Sequence, residues 1–275
     1  MRIQVLGLCR FSFTGLGAFQ QEHETVAERQ AALFRPARLV ARLNWFQHLL
    51  LPGIRAQSDP DFTLLVLTGT DLPPWARQRL AALIADVPQV RLVLHEPAPH
   101  HETATKVIHA AIDPGADLIA QFRLDDDDAV ARDFVARVRA DAAIPGALVT
   151  RHRPVAMDYA RGFVLAWGGR DARLIPRLAQ YWTPGMAMLF HPKAANSLMN
   201  FRHNVMWQRI PSLVQPDGVM WVRGHHDSND SSFALQGPGF DCPDPAAVAR
   251  DRFGVDLDMF TQAMRAGRKS WSAGP

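Results

Sequence analysis

The sequence predicts an α/β protein with a mostly parallel central sheet flanked by helices. Three observations carry this. Apolar runs of strand length alternate with helically spaced apolar residues at short intervals through residues 1–145, the pattern of a sheet with helices on its faces. One of those strands, Leu118-Ile119-Ala120-Gln121-Phe122-Arg123-Leu124, ends abruptly in four aspartates, Asp125, Asp126, Asp127 and Asp128. After about residue 146 the alternation stops, and shorter strand-like runs follow, separated by Gly, Pro and Arg.

In chain order, residues 2–9 read as the first strand, and residues 10–32, polar and glycine-containing, as a loop. From Leu33 to Leu51 the apolar positions Leu39, Leu43, Phe46 and Leu50 keep helical spacing, and Pro52-Gly53 ends the pattern. Residues 62–67 form a compact strand, and Pro73-Pro74 opens a helix carrying Leu80, Leu83 and Ile84. Residues 90–94 are the next strand and about 102–112 the next helix. The strand before the aspartates comes next. Asp128 is expected as the N-cap of a helix that runs on through Ala129, Val130, Phe134 and Val135. Residues 147–150, 162–167 and 186–190 are strand-like, and Asp256 to Arg268 has the spacing of an amphipathic terminal helix. The expected organisation is one domain, with a half at 1–145, a second half at 146–245 and a helical tail at 246–275.

The chain has 275 residues and is 48% hydrophobic, enough for a sizeable core. Lys and Arg number 30 against 27 Asp and Glu. An excess so small and dispersed argues against nucleic acid as a partner. The only lysines are Lys106, Lys193 and Lys269, and the abundant arginine suits phosphate and carboxylate recognition. Cys9 and Cys242 match no metal spacing and imply no disulfide framework, which fits a reducing compartment. Arg10 cuts the first apolar run too short for a signal peptide, and no stretch approaches the roughly 20 residues of a membrane span. A cytoplasmic protein is expected, with peripheral membrane contact left open.

Four adjacent carboxylates repel one another, and at the end of a buried strand a divalent cation offsets that best, because hard oxygen ligands suit Mn2+ or Mg2+. The carboxyl ends of strands in open α/β sheets are also where ligands sit. A second polar cluster, Gly224-His225-His226-Asp227-Ser228-Asn229-Asp230, follows the apolar run at 218–222. His225 or His226 can close a metal site begun by aspartates, or act near working pH. Lys106 lies in the helix before the aspartate strand, where a cation can meet a phosphate. Trp182 and the backbone at Gly185 are candidates for an acceptor pocket, since sugar faces stack on aromatic rings. Met186, Met188 and Leu189 beside them read as core.

Together these features resemble the GT-A (Rossmann-like) fold of nucleotide-sugar glycosyltransferases, and more closely a bacterial rhamnosyltransferase family. The resemblance runs over residues 3–235 and rests on several stretches. They are Arg10-Phe11-Ser12, Leu33-Phe34, Arg38-Leu39, Arg42-Leu43, Phe46, and Leu51-Pro52-Gly53-Ile54-Arg55-Ala56-Gln57. Asp59-Pro60-Asp61-Phe62, Arg123-Leu124-Asp125-Asp126-Asp127-Asp128-Ala129 and the Gly-His-His-Asp-Ser-Asn run complete them. A serine often follows the Leu-Pro pair; here Gly53 stands there, read as a helix stop.

The resemblance implies a divalent cation held by Asp125, Asp127 or Asp128 with His225 or His226. It also implies a UDP- or dTDP-linked donor met by Arg10, Lys106, Arg123, Asp125 and Asp126. Trp182 and Gly185 would face a glycan or lipid-linked acceptor in surface polysaccharide synthesis. Asp227 and Asp230 would be candidates for the base that takes the acceptor proton. A metal-dependent phosphohydrolase or nucleotidyltransferase on the same aspartates, or a non-catalytic carbohydrate-binding protein, is the alternative.

Overall fold

The computed structural model describes residues 1–17, 25–226, 235 and 237–272, with side chains to residue 268. Its first half follows the expected alternation. β1 (Ile3–Arg10) leads through the two-residue β2 (Gly15–Leu16) to α1 (Val26–Leu33) and α2 (Pro36–Trp45). A π-helical turn (Phe46–Leu50) joins α2 to α3 (Leu51–Arg55). Then come β3 (Thr63–Gly69), α4 (Pro74–Ile84), β4 (Val90–His95), β5 (Ala98–Pro99), α5 (His100–Ala110) and β6 (Leu118–Asp125). The second half holds β7 (Asp128–Val130), α6 (Phe134–Asp141), α7 (Ala143–Gly146), β8 (Val155–Tyr159), β9 (Arg161–Trp167) and β10 (Ala172–Leu178). β11 (Met186–Phe190), β12 (Ser212–Gln215), β13 (Trp221–His225), α8 (Pro245–Phe253) and α9 (Leu257–Ser272) complete the chain.

Seven strands form the central sheet, in the order β12-β8-β11-β6-β1-β3-β4. β4, β3, β1 and β6 pair parallel, while β11 runs antiparallel to both β6 and β8. The parallel strands read as near-continuous apolar runs because helices cover both of their faces. One face carries Val5, Leu64, Val66, Phe122 and Leu124 against α2, α4 and the π turn. The other carries Leu6, Leu8, Leu65 and Leu67 against Ala104 and Ile108 of α5. A four-stranded sheet, β10-β9-β13-β7, packs beside the acidic turn, and β2 pairs with β5. Among the described residues no helix is long and apolar enough to cross a membrane.

Four expectations fail locally. Residues 10–32 are not all loop, because α1 occupies Val26–Leu33. Thr25 and Glu28 form a reciprocal capping box at its start. That helix buries only Arg29 and Leu33, so it carries no apolar period to detect. The chain also stays helical beyond Pro52-Gly53, to Arg55. The π turn ends with Leu51 donating to the Phe46 carbonyl, and Pro52, which has no N–H to give, sits in the first turn of the next segment. Gly53 is there for close packing rather than as a stop: a Cβ would come within 2.4 Å of the Val130 carbonyl oxygen.

Asp128 caps no helix. Asp128–Val130 is a strand pairing antiparallel with β13, and the helix begins only at Phe134. Last, residues 147–150 are not a strand. Thr150 bridges Arg153, and the strand of this region is Val155–Tyr159.

Candidate functional site

From β1 the chain moves outward through β3 to β4, then returns to place β6 on the other side of β1. Open α/β sheets bind ligands outside the carboxyl ends of their strands at such a reversal of strand order. Register sets Arg10, the last residue of β1, opposite Asp125, the last of β6. Arg10 Nη2 donates to Asp125 Oδ1 at 2.8 Å. Their side chains are 28% and 41% exposed, so this pair is the solvent-facing part of the cluster. Burial pushes the Asp125 carboxyl up, but the cations Arg10, Arg123 and Arg42 outweigh it and hold it below the usual range.

The other three aspartates turn inward. Asp126 and Asp127 make the turn between β6 and β7, and the Asp125 N–H donates to Asp128 Oδ2 at 2.8 Å to close it. Burial, with the charges of Asp127 and Asp125, raises the Asp128 carboxyl well above its ordinary value.

A helix arginine meets the buried pair. Arg42 on α2 forms an ion pair with Asp126 and sends Nη1 and Nη2 to the two oxygens of Asp127, each at 3.2 Å. Asp126 is only 1% exposed and Arg42 11%. Burial pushes Asp127 up, but Arg42 and His226 pull it below the usual carboxylate range. Arg38, one helical turn earlier, donates from Nη1 to Ser12 Oγ and the Leu33 carbonyl, both at 3.0 Å. Burial and the neighbouring Arg42 and Arg29 lower its pKa to about 9.

β13 delivers the late histidine. It pairs Trp221 with Val130, Val222 with Ala129 and Arg223 with Asp128. The Gly224 N–H donates to the Asp127 carbonyl at 2.7 Å. A Cβ on Gly224 would stand 2.6 Å from that oxygen, so the approach requires glycine. His226 Nε2 then lies 2.8 Å from Arg42 Nη1 and 3.1 Å from Asp127 Oδ2. One ring nitrogen serves only one of these at a time, accepting from Arg42 or donating to Asp127. Burial lowers the pKa of His226. His225, the last residue of β13, makes no hydrogen bond to Asp125, Asp126, Asp127 or Asp128, in keeping with the alternation of side chains.

On the other flank, Arg223 lies over the Trp182 ring, 5.1 Å from its centroid, and Trp182 packs on Trp221 at 5.3 Å. Trp182 is thereby linked to the strand that pairs with the acidic turn. Arg123 donates to Thr183 Oγ1 at 3.3 Å, beside a narrow pocket that Gln121, Met186 and His203 also line. Gly185 is buried: a Cβ there would meet the Trp221 indole, and its own N–H donates to the Trp182 carbonyl. Lys106 is exposed on α5 and, among the described residues, makes no ion pair with an aspartate. Asp227 and Asp230 lie outside the described residues.

In this arrangement Asp127 and Asp128, two of the expected metal ligands, are engaged with protein partners, while Asp125 stands at the rim beside Arg10. Both Asp127 oxygens face Arg42, and Asp128 Oδ2 holds the turn. Among the described residues no three His, Cys, Asp or Glu side chains converge.

The sequence pattern alone gives no role to Arg42, Arg38 or Arg223. The one signal it offers is the helical spacing of Arg38 and Arg42 just after the first strand.

The family described as "Putative rhamnosyl transferase" matches residues 4–237. No curated protein matches. Among solved structures, mannosyltransferase PcManGT from Pyrobaculum calidifontis, in complex with GDP-Man and Mn2+, is similar at 11% identity and a TM-score of 0.45. The match covers 100% of this chain and 76% of that one. S. aureus TarS 1-349 in complex with UDP-GlcNAc is similar at 11% identity and a TM-score of 0.43, covering 98% of this chain and 73% of that one. Against a second structure of S. aureus TarS 1-349, at 10% identity and a TM-score of 0.40, the match covers 82% of this chain and 60% of that one.

Proposed function

Because the chain belongs to the family that matches residues 4–237, we propose that it is a glycosyltransferase taking its sugar from a nucleotide-sugar donor. We infer rhamnose as the sugar, a dTDP- or UDP-linked donor, and a glycan or lipid-linked acceptor in surface polysaccharide synthesis. The observation that carries the reading is the Arg10–Asp125 pair at the carboxyl edge, where the strand order reverses.

In this reading the nucleoside diphosphate lies across the ends of β1 and β6. An acceptor hydroxyl attacks the anomeric carbon, the bond from that carbon to the diphosphate oxygen breaks, and the nucleoside diphosphate leaves. The hydroxyl proton passes to a carboxylate if configuration inverts, for which Asp227 and Asp230 are the candidates. Arg10 and Arg123 stabilise the charge that develops on the leaving diphosphate. Trp182, held by Arg223 and Trp221, offers an aromatic face to the acceptor.

The test is turnover of dTDP-rhamnose and UDP-sugars with and without a lipid-linked glycan acceptor, with Mn2+, Mg2+ or EDTA in parallel. Donor consumption that requires the acceptor supports transfer. Equal consumption without acceptor would make the protein a hydrolase, and none with any donor would remove the assignment.

A further inference from the structure

Resting on the reading of a nucleotide-sugar donor at this edge, we propose that arginine side chains, not a divalent cation, hold the donor's diphosphate. Arg42 stands against Asp127, one of the expected ligands of that cation, and against Asp126 beside it.

The guanidinium already seated in the acidic turn is the first argument. Arg42 pairs with Asp126, bridges both oxygens of Asp127 and touches His226 Nε2 at 2.8 Å. A guanidinium is a planar cation whose fork matches carboxylate geometry. A divalent ion at the same oxygens would have to displace a side chain only 11% exposed. It would then sit beside that side chain's charge, and like charges in a buried site repel strongly.

The second argument is that two arginines near the site have no carboxylate as a direct partner. Among the described residues, Arg38 is half-buried and bonds only to the Ser12 hydroxyl and the Leu33 carbonyl, both neutral. Arg123 bonds to the Thr183 hydroxyl and has no described carboxylate in ion-pair range. Arg10 has Asp125 as its partner at the exposed rim. These three arginines and Arg42 come from the end of β1, from α2 and from β6, and they surround the crevice where the strand order reverses. Desolvating cations whose direct hydrogen-bond partners are neutral is costly, and an anion bound between them offsets that cost. A diphosphate supplies that charge, and its oxygens match the guanidinium fork. The aspartates then serve to fix Arg42 and Arg10 in place rather than to ligate metal.

The experiment is calorimetric titration of the full chain with UDP, dTDP and GDP, each in EDTA and in Mn2+. The expected result is that the nucleotide that binds does so with the same affinity, within about threefold, in both buffers. Binding only in Mn2+, or tightened by Mn2+ beyond that margin, would overturn the inference and leave the glycosyltransferase reading standing. No binding of any nucleotide in either buffer would overturn both.

A second measurement needs no nucleotide. Mn2+ alone, followed by electron paramagnetic resonance, is expected to stay free with the wild-type chain. Mn2+ bound by wild type and released by Asp127→Asn would sink the proposal. Arg38→Met should weaken nucleotide binding in EDTA by about tenfold or more, with partial recovery in Arg38→Lys; unchanged affinity in Arg38→Met would count against it.

Discussion

Arg10 and Asp125 face each other in register at the ends of two neighbouring parallel strands, and a 2.8 Å ion pair joins them. Both side chains reach solvent, and such pairs contribute only about 0–1 kcal/mol to stability. The pair therefore matters for what binds at the strand ends. Arg10→Ala should change unfolding free energy by less than about 1 kcal/mol and weaken nucleoside diphosphate binding by about tenfold or more. Urea denaturation and calorimetry on the same preparation separate the two. Equal losses in both would make Arg10 a structural residue.

Gly224 allows β13 to close on the acidic turn, since a Cβ there would stand 2.6 Å from the Asp127 carbonyl oxygen and 3.0 Å from the Trp45 ring. Neither backbone nor a fully buried indole yields easily. Gly224→Ala should cost about 1–3 kcal/mol or more. It should also shift His226 away from Arg42 and Asp127. At Gly168 a Cβ would meet nothing within 4 Å, so Gly168→Ala is the control. Thermal melts of the two variants should differ clearly; matching melts would show that β13 has room to move.

Asp158 is fully buried near the end of β8, neither oxygen has a hydrogen bond of normal geometry among the described residues, and burial, only partly offset by the Tyr181 backbone, raises its pKa to about 7. The folded value lies above the unfolded one of about 4. Its stabilising contribution is therefore complete below about pH 4 and lost as pH rises through about 7. Asp158→Asn removes the titration. The variant should gain on wild type as pH rises from 4 to 8, by on the order of 3 kcal/mol at the upper end. Chemical denaturation at several pH values reads this directly. A difference independent of pH would mean that the carboxyl is charged and solvated in the folded chain.

How much of this was legible follows from the range of the interactions. β1, β3, β4 and β6 show in the sequence because strands buried on both faces are apolar runs with sharp ends. The acidic turn shows because charge stops one of those runs. β7 does not, because three residues are too few for a period, and Ala129, Val130 and Phe134 keep helical spacing by chance. Only its distant partner, Trp221–His225, makes it a strand. Arg42 does not either: its contact with Asp127 spans 85 residues, and a charged position on an amphipathic helix ordinarily faces solvent. The sequence pattern thus exposes the carboxylates and hides the cation that answers them.

That cation makes the acidic turn foldable, and its removal has a pH signature. Arg42→Met leaves Asp126 and Asp127 buried side by side without their counter-ion. Breaking a buried pair in this way costs about 3–5 kcal/mol. In the wild type the Asp127 pKa is depressed, chiefly because Arg42 overcomes the effect of burial. A depressed carboxylate contributes stability above its unfolded value of about 4, lost as pH falls through the folded value. In Arg42→Met that contribution is gone, and burial and mutual repulsion push the carboxyls up instead. The deficit relative to wild type should therefore be largest near pH 7 and shrink as pH falls below about 4, where protonation relieves the repulsion. Denaturation midpoints at neutral and acid pH decide the matter. A deficit of constant size across that range would reduce Arg42 to packing, with no electrostatic role at the turn.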